Sequence, residues 1–140
     1  MSSVPDAKSK QPAARWMKKI KVKHIPSEKS QTDKVIDWLN SLQNCVAVKK
    51  HQTVMDTAGE PDINGCIKMT CLVTQKCGDE TIGYDIPIGQ RFDIEMKKKG
   101  KKPTKIQERR IAEWAAAGSW AFWADSLEDV QAYFKQRGIE

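Results

Sequence analysis

Apolar residues recur at helical spacing in residues 27 to about 42. Val35, Leu39 and Leu42 fall at i, i+4 and i+7, with Ile36 and Trp38 beside them. Ser27 or Ser30 supplies a cap. The pattern then changes to strands. Residues 45–48 are short and apolar, and 51–55 are expected to extend them past a bend at Lys49-Lys50. Ala58-Gly59 breaks the chain, and residues 63–73 read as a strand. Cys77-Gly78-Asp79 reads as a hairpin turn, after which 82–88 and 90–97 return. In the last of these, Phe92, Ile94 and Met96 alternate with Arg91, Asp93, Glu95 and Lys97, so one face is apolar and the other ionised. A basic loop at 98–102 leads to a helix over about 104–117, ended by Gly118. Residues 120–124 form a short apolar strand. Ser126 and Asp129 cap a last helix that packs Leu127, Val130, Tyr133 and Phe134 and stops at Gly138. The order α-β-β-β-α-β-α predicts an α/β fold with a mixed sheet flanked by helices.

A chain of 140 residues with 39% hydrophobic content is length for one domain with one modest core. No apolar run approaches the ~18 residues of a membrane span, and the polar, lysine-rich start has no signal-peptide core. The formal net charge is +6. All of it comes from residues 1–26, where Lys8, Lys10, Arg15, Lys18, Lys19, Lys21 and Lys23 stand against Asp6 alone. The chain therefore divides into a basic, disordered tail at 1–26 and a folded domain at 27–140. Such a tail is either a polyanion-binding arm or a solubilising one. Cys45, Cys66, Cys71 and Cys77 lack the paired C-x2-C spacing of zinc sites and read as reduced structural thiols.

Several polar residues stand where chemistry is expected. Glu28 lies seven and eleven residues before Val35 and Leu39, on the inward side if the helix begins that early. Gln107 lies four, seven and eight residues before Ile111, Trp114 and Ala115 and shares their stripe. Glu95 and Lys97 share the ionised face of their strand. Asp62 follows Pro61 at the start of a strand, so its carboxylate can point across the sheet toward Glu95. Taken singly, each has an ordinary reading: exposed cross-strand charge, a solvent-facing amide, a helix N-terminal acid or a turn residue. Converging, they suit a hard cation such as Mg²⁺ or Mn²⁺.

Gly59-x-Pro61-Asp62, then Phe92-Asp93-Ile94-Glu95-Met96-Lys97, a Gly-Lys loop and Gln107 on a helix resemble the VRR-NUC branch of the PD-(D/E)xK nucleases. The stretch from Gly118 to Val130 resembles the end of that domain, and the likeness covers roughly residues 27 to 135. Two departures stand out: the interval from Asp62 to Glu95 is long, and Met96 replaces a β-branched residue. The resemblance implies a restriction-endonuclease-like sheet and cleavage of structured DNA such as junctions or flaps, often by a homodimer. It implies Asp62, Glu95, Lys97 and Gln107 as catalytic residues, with Glu28, Asp62, Glu95 and the Met96 carbonyl holding Mg²⁺ or Mn²⁺. Lys97 would position or activate the attacking water, and Gln107 would orient Lys97 or that water.

The basic residues Lys98, Lys99, Lys101, Lys102, Lys105 and Arg109 border the expected site and can hold DNA phosphates. Trp16 in the tail can stack on an exposed base, while Trp38, Trp114 and Trp120 are expected in the core. The expected setting is the cytoplasm of a bacterium or a phage-infected host cell. Two rivals stay open: a catalytically inactive nucleic-acid-binding module, and a zinc-stabilised interaction protein using the cysteines.

Overall fold

The computed structural model describes residues 25–51 and 57–139. Residues 1–24, which carry the basic tail and Trp16, and 52–56, which carry most of the expected strand extension, lie outside the described residues. Seven elements follow in the order α-β-β-β-α-β-α: α1 (Glu28–Ser41), β1 (Cys45–Lys49), β2 (Ile63–Cys77), β3 (Glu80–Met96), α2 (Lys105–Ala116), β4 (Trp120–Ala124) and α3 (Leu127–Lys135). The fold is mixed α/β with one four-stranded sheet in the order β1-β2-β3-β4. The first three strands pair antiparallel, and β4 runs parallel to β3. A parallel neighbour needs a crossover connection, which α2 supplies. Among the described residues no helix is long and apolar enough to cross a membrane.

The local signals account for the element ends. Ser27 accepts from the Ser30 N–H and starts α1, and Ser126 accepts from the Asp129 N–H and starts α3. Asn40 of α1 reaches the outer strand: its side chain accepts from the Ala47 N–H at 2.9 Å and donates to the Ala47 carbonyl at 3.0 Å. That amide occupies backbone groups which an edge strand would otherwise leave open.

The alternation in β3 sorts its two faces. Phe92, Ile94 and Met96 are fully buried against Val35 and Leu39 of α1 and Val130 and Phe134 of α3. Phe134 meets Phe92, Trp38 and Trp120 edge-on at centroid distances of 5.4, 5.7 and 5.6 Å, an arrangement favoured by the ring quadrupoles. Asp93 and Glu95 face the other way, toward α2. All five residues from Phe92 to Met96 are nevertheless buried, because helices cover both faces here.

Three expectations need correction. Residues 63–73 and the pair 82–88 and 90–97 are pieces of two long strands, which meet at Gly78-Asp79 and pair from Cys77↔Glu80 to Ile63↔Ile94. Gly78 at φ +67° opens the two-residue turn, as its missing Cβ allows. Second, β1 ends at Lys49, and His51 is in no strand. Third, α2 buries no residue completely; Trp114 is half-buried and is not a core residue. Its partners are polar: the indole N–H bonds Glu60 and the Arg91 guanidinium lies over the ring, so it packs on the charged side of β3 and not among the core residues.

The outer half of the β2–β3 hairpin leaves the helices behind. Met69 and Val73 of β2 share a face with Ile82, Tyr84, Ile86 and Ile88 of β3, by direct pairing. Ile82, Tyr84 and Ile88 are 48%, 44% and 43% exposed. This strip continues the apolar face of the core onto a ribbon that no helix covers among the described residues.

Candidate functional site

The site lies where β2 begins and β3 ends. Gly59 at φ +83° turns the chain against Ile106 in the first turn of α2, a place with no room for a Cβ. Glu60, next in line, is buried and pinned from three sides. Its carboxylate accepts from the Trp114 indole N–H at 2.9 Å and pairs with Arg110 at 3.4 Å and Lys50 at 3.9 Å. Pro61 is buried and delivers Asp62 to the sheet edge. There Asp62 Oδ2 accepts from the Met96 N–H at 3.0 Å. The β2–β3 register would put Met96 opposite Pro61, two residues before β2 starts, so the Asp62 carboxylate substitutes for a strand partner.

Glu95 is the centre of the arrangement, only 2% exposed. Its Oε1 accepts from Gln107 Nε2 at 2.8 Å and pairs with Lys97 Nζ at 3.4 Å. Its Oε2 is buried with no hydrogen-bond partner. Burial pushes the Glu95 carboxyl up to about 8; repulsion from Asp62 adds to this, Lys97 opposes it, and Glu28 adds a smaller upward push. A carboxylate in this position is costly unless a cation joins it.

Gln107 does two jobs with one amide. Its carbonyl accepts from the Thr104 N–H at 2.9 Å while Thr104 caps the helix, a reciprocal capping box. Its NH₂ goes to Glu95. The expected partners were Lys97 or a water, so the observed bond to Glu95 is a correction. So is its depth: Gln107 is half-buried and not on a buried stripe. The Thr104-x-x-Gln107 spacing was visible in the sequence as a capping signal. Gln107→Leu is expected to lower helix stability by about 1 kcal/mol through the lost cap bond and to free Glu95 Oε1 of its neutral donor. Denaturant unfolding measures the first effect. An unchanged midpoint would count against the capping role.

Glu28 is also corrected. It is exposed in the first turn of α1, where Gln31 and Thr32 take the inward positions. Its charge is felt at Glu95, but the set Glu28, Asp62 and Glu95 is not drawn together. Among the described residues no group of three or more His, Cys, Asp or Glu is close enough to hold a metal. Asp62 and Glu95 remain as neighbouring carboxylates. The cysteines do not converge either: Cys66 and Cys71 point to opposite faces of β2 by strand alternation. Cys45 alone is buried, and burial raises its thiol to about 11.

Lys98, Lys99, Lys101, Lys102, Lys105 and Arg109 are all exposed around the turn at Gly100 and the start of α2. Arg109 pairs with Glu113 at 3.6 Å, and none of these lysines makes an ion pair among the described residues. Next to Glu95, the sequence reading missed a second network. Asp93 is buried and receives a fork from Arg91 at 2.9 and 3.0 Å and the Ser119 hydroxyl at 2.6 Å. Arg91 also lies 4.0 Å over the Trp114 ring. Alternation with Glu95 placed Asp93 on the ionised face, but nothing local named its partners.

Comparison with family models, with curated proteins and with solved structures gives no match.

Proposed function

We propose that this chain is a metal-dependent DNA endonuclease with a restriction-endonuclease-like sheet, acting on structured DNA. The observation that carries the proposal is Glu95: one oxygen held by Lys97 and Gln107, the other buried without a partner, and the Asp62 carboxylate beside it. That donor chemistry fits a hard cation. Mg²⁺ commonly takes one or two carboxylates and fills its remaining positions with water. Asp62 and Glu95 would hold it, with the Met96 carbonyl as a further oxygen. When bound, the cation would supply Lewis acidity toward a phosphate oxygen and acidify a water.

The remaining steps belong to side chains of the chain. Lys97 is 13% exposed at its side chain, so it pairs with Glu95 while still reaching the mouth of the site. There it can offset charge developing on the phosphate. Gln107 fixes the orientation of Glu95 from the helix side. Lys98, Lys99, Lys101, Lys102, Lys105 and Arg109 would hold the flanking phosphates.

Incubation with labelled junction, flap, duplex and single-stranded DNA in Mg²⁺, Mn²⁺ or EDTA tests this. Cation-dependent cutting is expected. Binding without cutting in either metal would favour the rival reading, an inactive nucleic-acid-binding module that uses the same lysines.

The proposed quaternary state is a homodimer through the outer hairpin. Its apolar strip is partly exposed along Ile82, Tyr84, Ile86 and Ile88, and two copies laid face to face would cover it. The strip carries no formal charge, so two copies of a basic chain can meet there without repulsion. Ile86→Lys should give a monomer by sedimentation; a wild type that is itself monomeric at all accessible concentrations would end the proposal.

A further inference from the structure

Trp123 has no place in the core and none in the site described above. It lies in β4, the edge strand, in register with Glu95 of β3. Paired residues on adjacent strands share a face, so the indole stands on the Glu95 side of the sheet. Its neighbours in β4 behave differently. Trp120 and Phe122 face the core and pack against Phe134, and Ala124 is buried. Trp123 is 40% exposed, and among the described residues its indole makes no ring contact, cation–π contact or hydrogen bond. An aromatic of this size left open on an edge strand is unusual, because an indole buries more apolar area than almost any side chain when a site is available.

Its surroundings say what it fits. Lys97 follows Glu95 on the same face, and the lysine-rich segment 98–105 leads away from that end of the sheet. A flat apolar surface beside a run of cations is the combination that binds single strands, with phosphates on the lysines and a base on the ring. Adjacent strands lie about 4.8 Å apart, so a base on Trp123 would belong to a nucleotide next to the phosphate at Glu95. Bases inside a duplex present no free face, since each is stacked on its neighbours. Only an unpaired or extruded base can occupy the ring.

We propose that Trp123 is a stacking platform for an unpaired nucleobase adjacent to the scissile phosphate. The assignment rests on the nuclease reading for the position of that phosphate. It narrows the substrate to DNA with an unpaired nucleotide at the cut, such as a single-stranded branch, as opposed to continuous duplex.

The test is a binding comparison in EDTA, where no cutting occurs, so it stands apart from whether the protein is a nuclease. A labelled single strand and a blunt duplex of the same sequence are titrated with wild type, Trp123→Ala and Trp123→Phe. Trp123→Ala should weaken single-strand binding roughly 5- to 100-fold and leave duplex binding within about twofold. Trp123→Phe should restore most of the loss, because a ring remains. A single strand carrying 2-aminopurine should be quenched on wild-type binding and much less on binding to the Ala variant. Unchanged single-strand affinity in Trp123→Ala, an equal loss on duplex, or quenching that survives the substitution would each overturn the proposal.

Discussion

Glu95→Gln is expected to reduce cation-dependent cleavage by at least about 100-fold while leaving the fold intact, a loss of the size seen when a group acting on the transition state is removed. The substitution preserves shape. The amide oxygen can still accept from Gln107 and Lys97, so the packing of β3 against α2 survives. The charge facing Asp62 is lost, and with it the reason for a cation to bind. At pH 8 the thermal midpoint should stay within a few degrees of wild type, because the wild-type carboxyl, raised to about 8, is already half protonated there. Cleavage time courses beside thermal unfolding settle the matter. A variant that keeps a tenth or more of wild-type turnover removes Glu95 from the mechanism.

A second large effect should appear in stability rather than in turnover. In EDTA, stability is expected to fall as pH rises from about 4.5 to about 8. The folded state holds a proton on Glu95 through this window, whereas the unfolded chain releases it near the ordinary value of 4.5. The folded state therefore binds more protons, and raising the pH favours unfolding. Below about 4.5 the contribution is fully present; above 8 the folded chain carries the buried charge. Mn²⁺ should act in the opposite direction. At pH 8 a cation at hundredfold excess over its dissociation constant adds about 2.7 kcal/mol, and at pH 5 it should add almost nothing, since the proton occupies its place. Glu95→Gln should abolish the difference between the two pH values and so separates it from every other titrating group. Denaturant midpoints with and without Mn²⁺ provide the measurement. Equal stabilisation of wild type and variant by Mn²⁺ would place the cation elsewhere.

The sequence carried the element order and the inner half of the site because both are written in short-range patterns. Alternation of Phe92, Ile94 and Met96 with charged residues fixed which side of β3 holds the chemistry. Gly59 and Pro61 marked a turn that only certain backbones can make, and the structure uses that turn to bring Asp62 beside Met96. What the sequence did not carry is side-chain choice among several nearby partners. Gln107 had a local partner in Thr104 and a distant one in Glu95, and periodicity could not show that one amide serves both. Glu28 shares the helical azimuth of Val35 and Leu39 but is the first residue of α1, and burial begins only at Gln31 and Thr32; periodicity gives the side of a helix, not how far along it the cover extends. Trp123 looked like any member of an apolar strand, because its isolation follows from β4 being an edge, which is a property of the whole sheet. Glu60 and Trp114 are far apart in sequence and meet only because the turn at Gly59 lies against α2.

The hairpin sets a rule for how this molecule can change length. Residue pairs along an antiparallel ribbon alternate between hydrogen-bonded and non-hydrogen-bonded types, and a two-residue turn such as Gly78-Asp79 closes one type only. Trimming a single pair from the tip would hand that turn the wrong closing pair, whereas trimming two would restore it. Since no residue beyond the Met69–Ile88 pair packs against the core or belongs to the Glu95 site, the ribbon can be cut back toward that pair in double steps while the sheet below remains undisturbed. Length in this arm is thus a quantised variable, adjustable separately from the chemistry at its base.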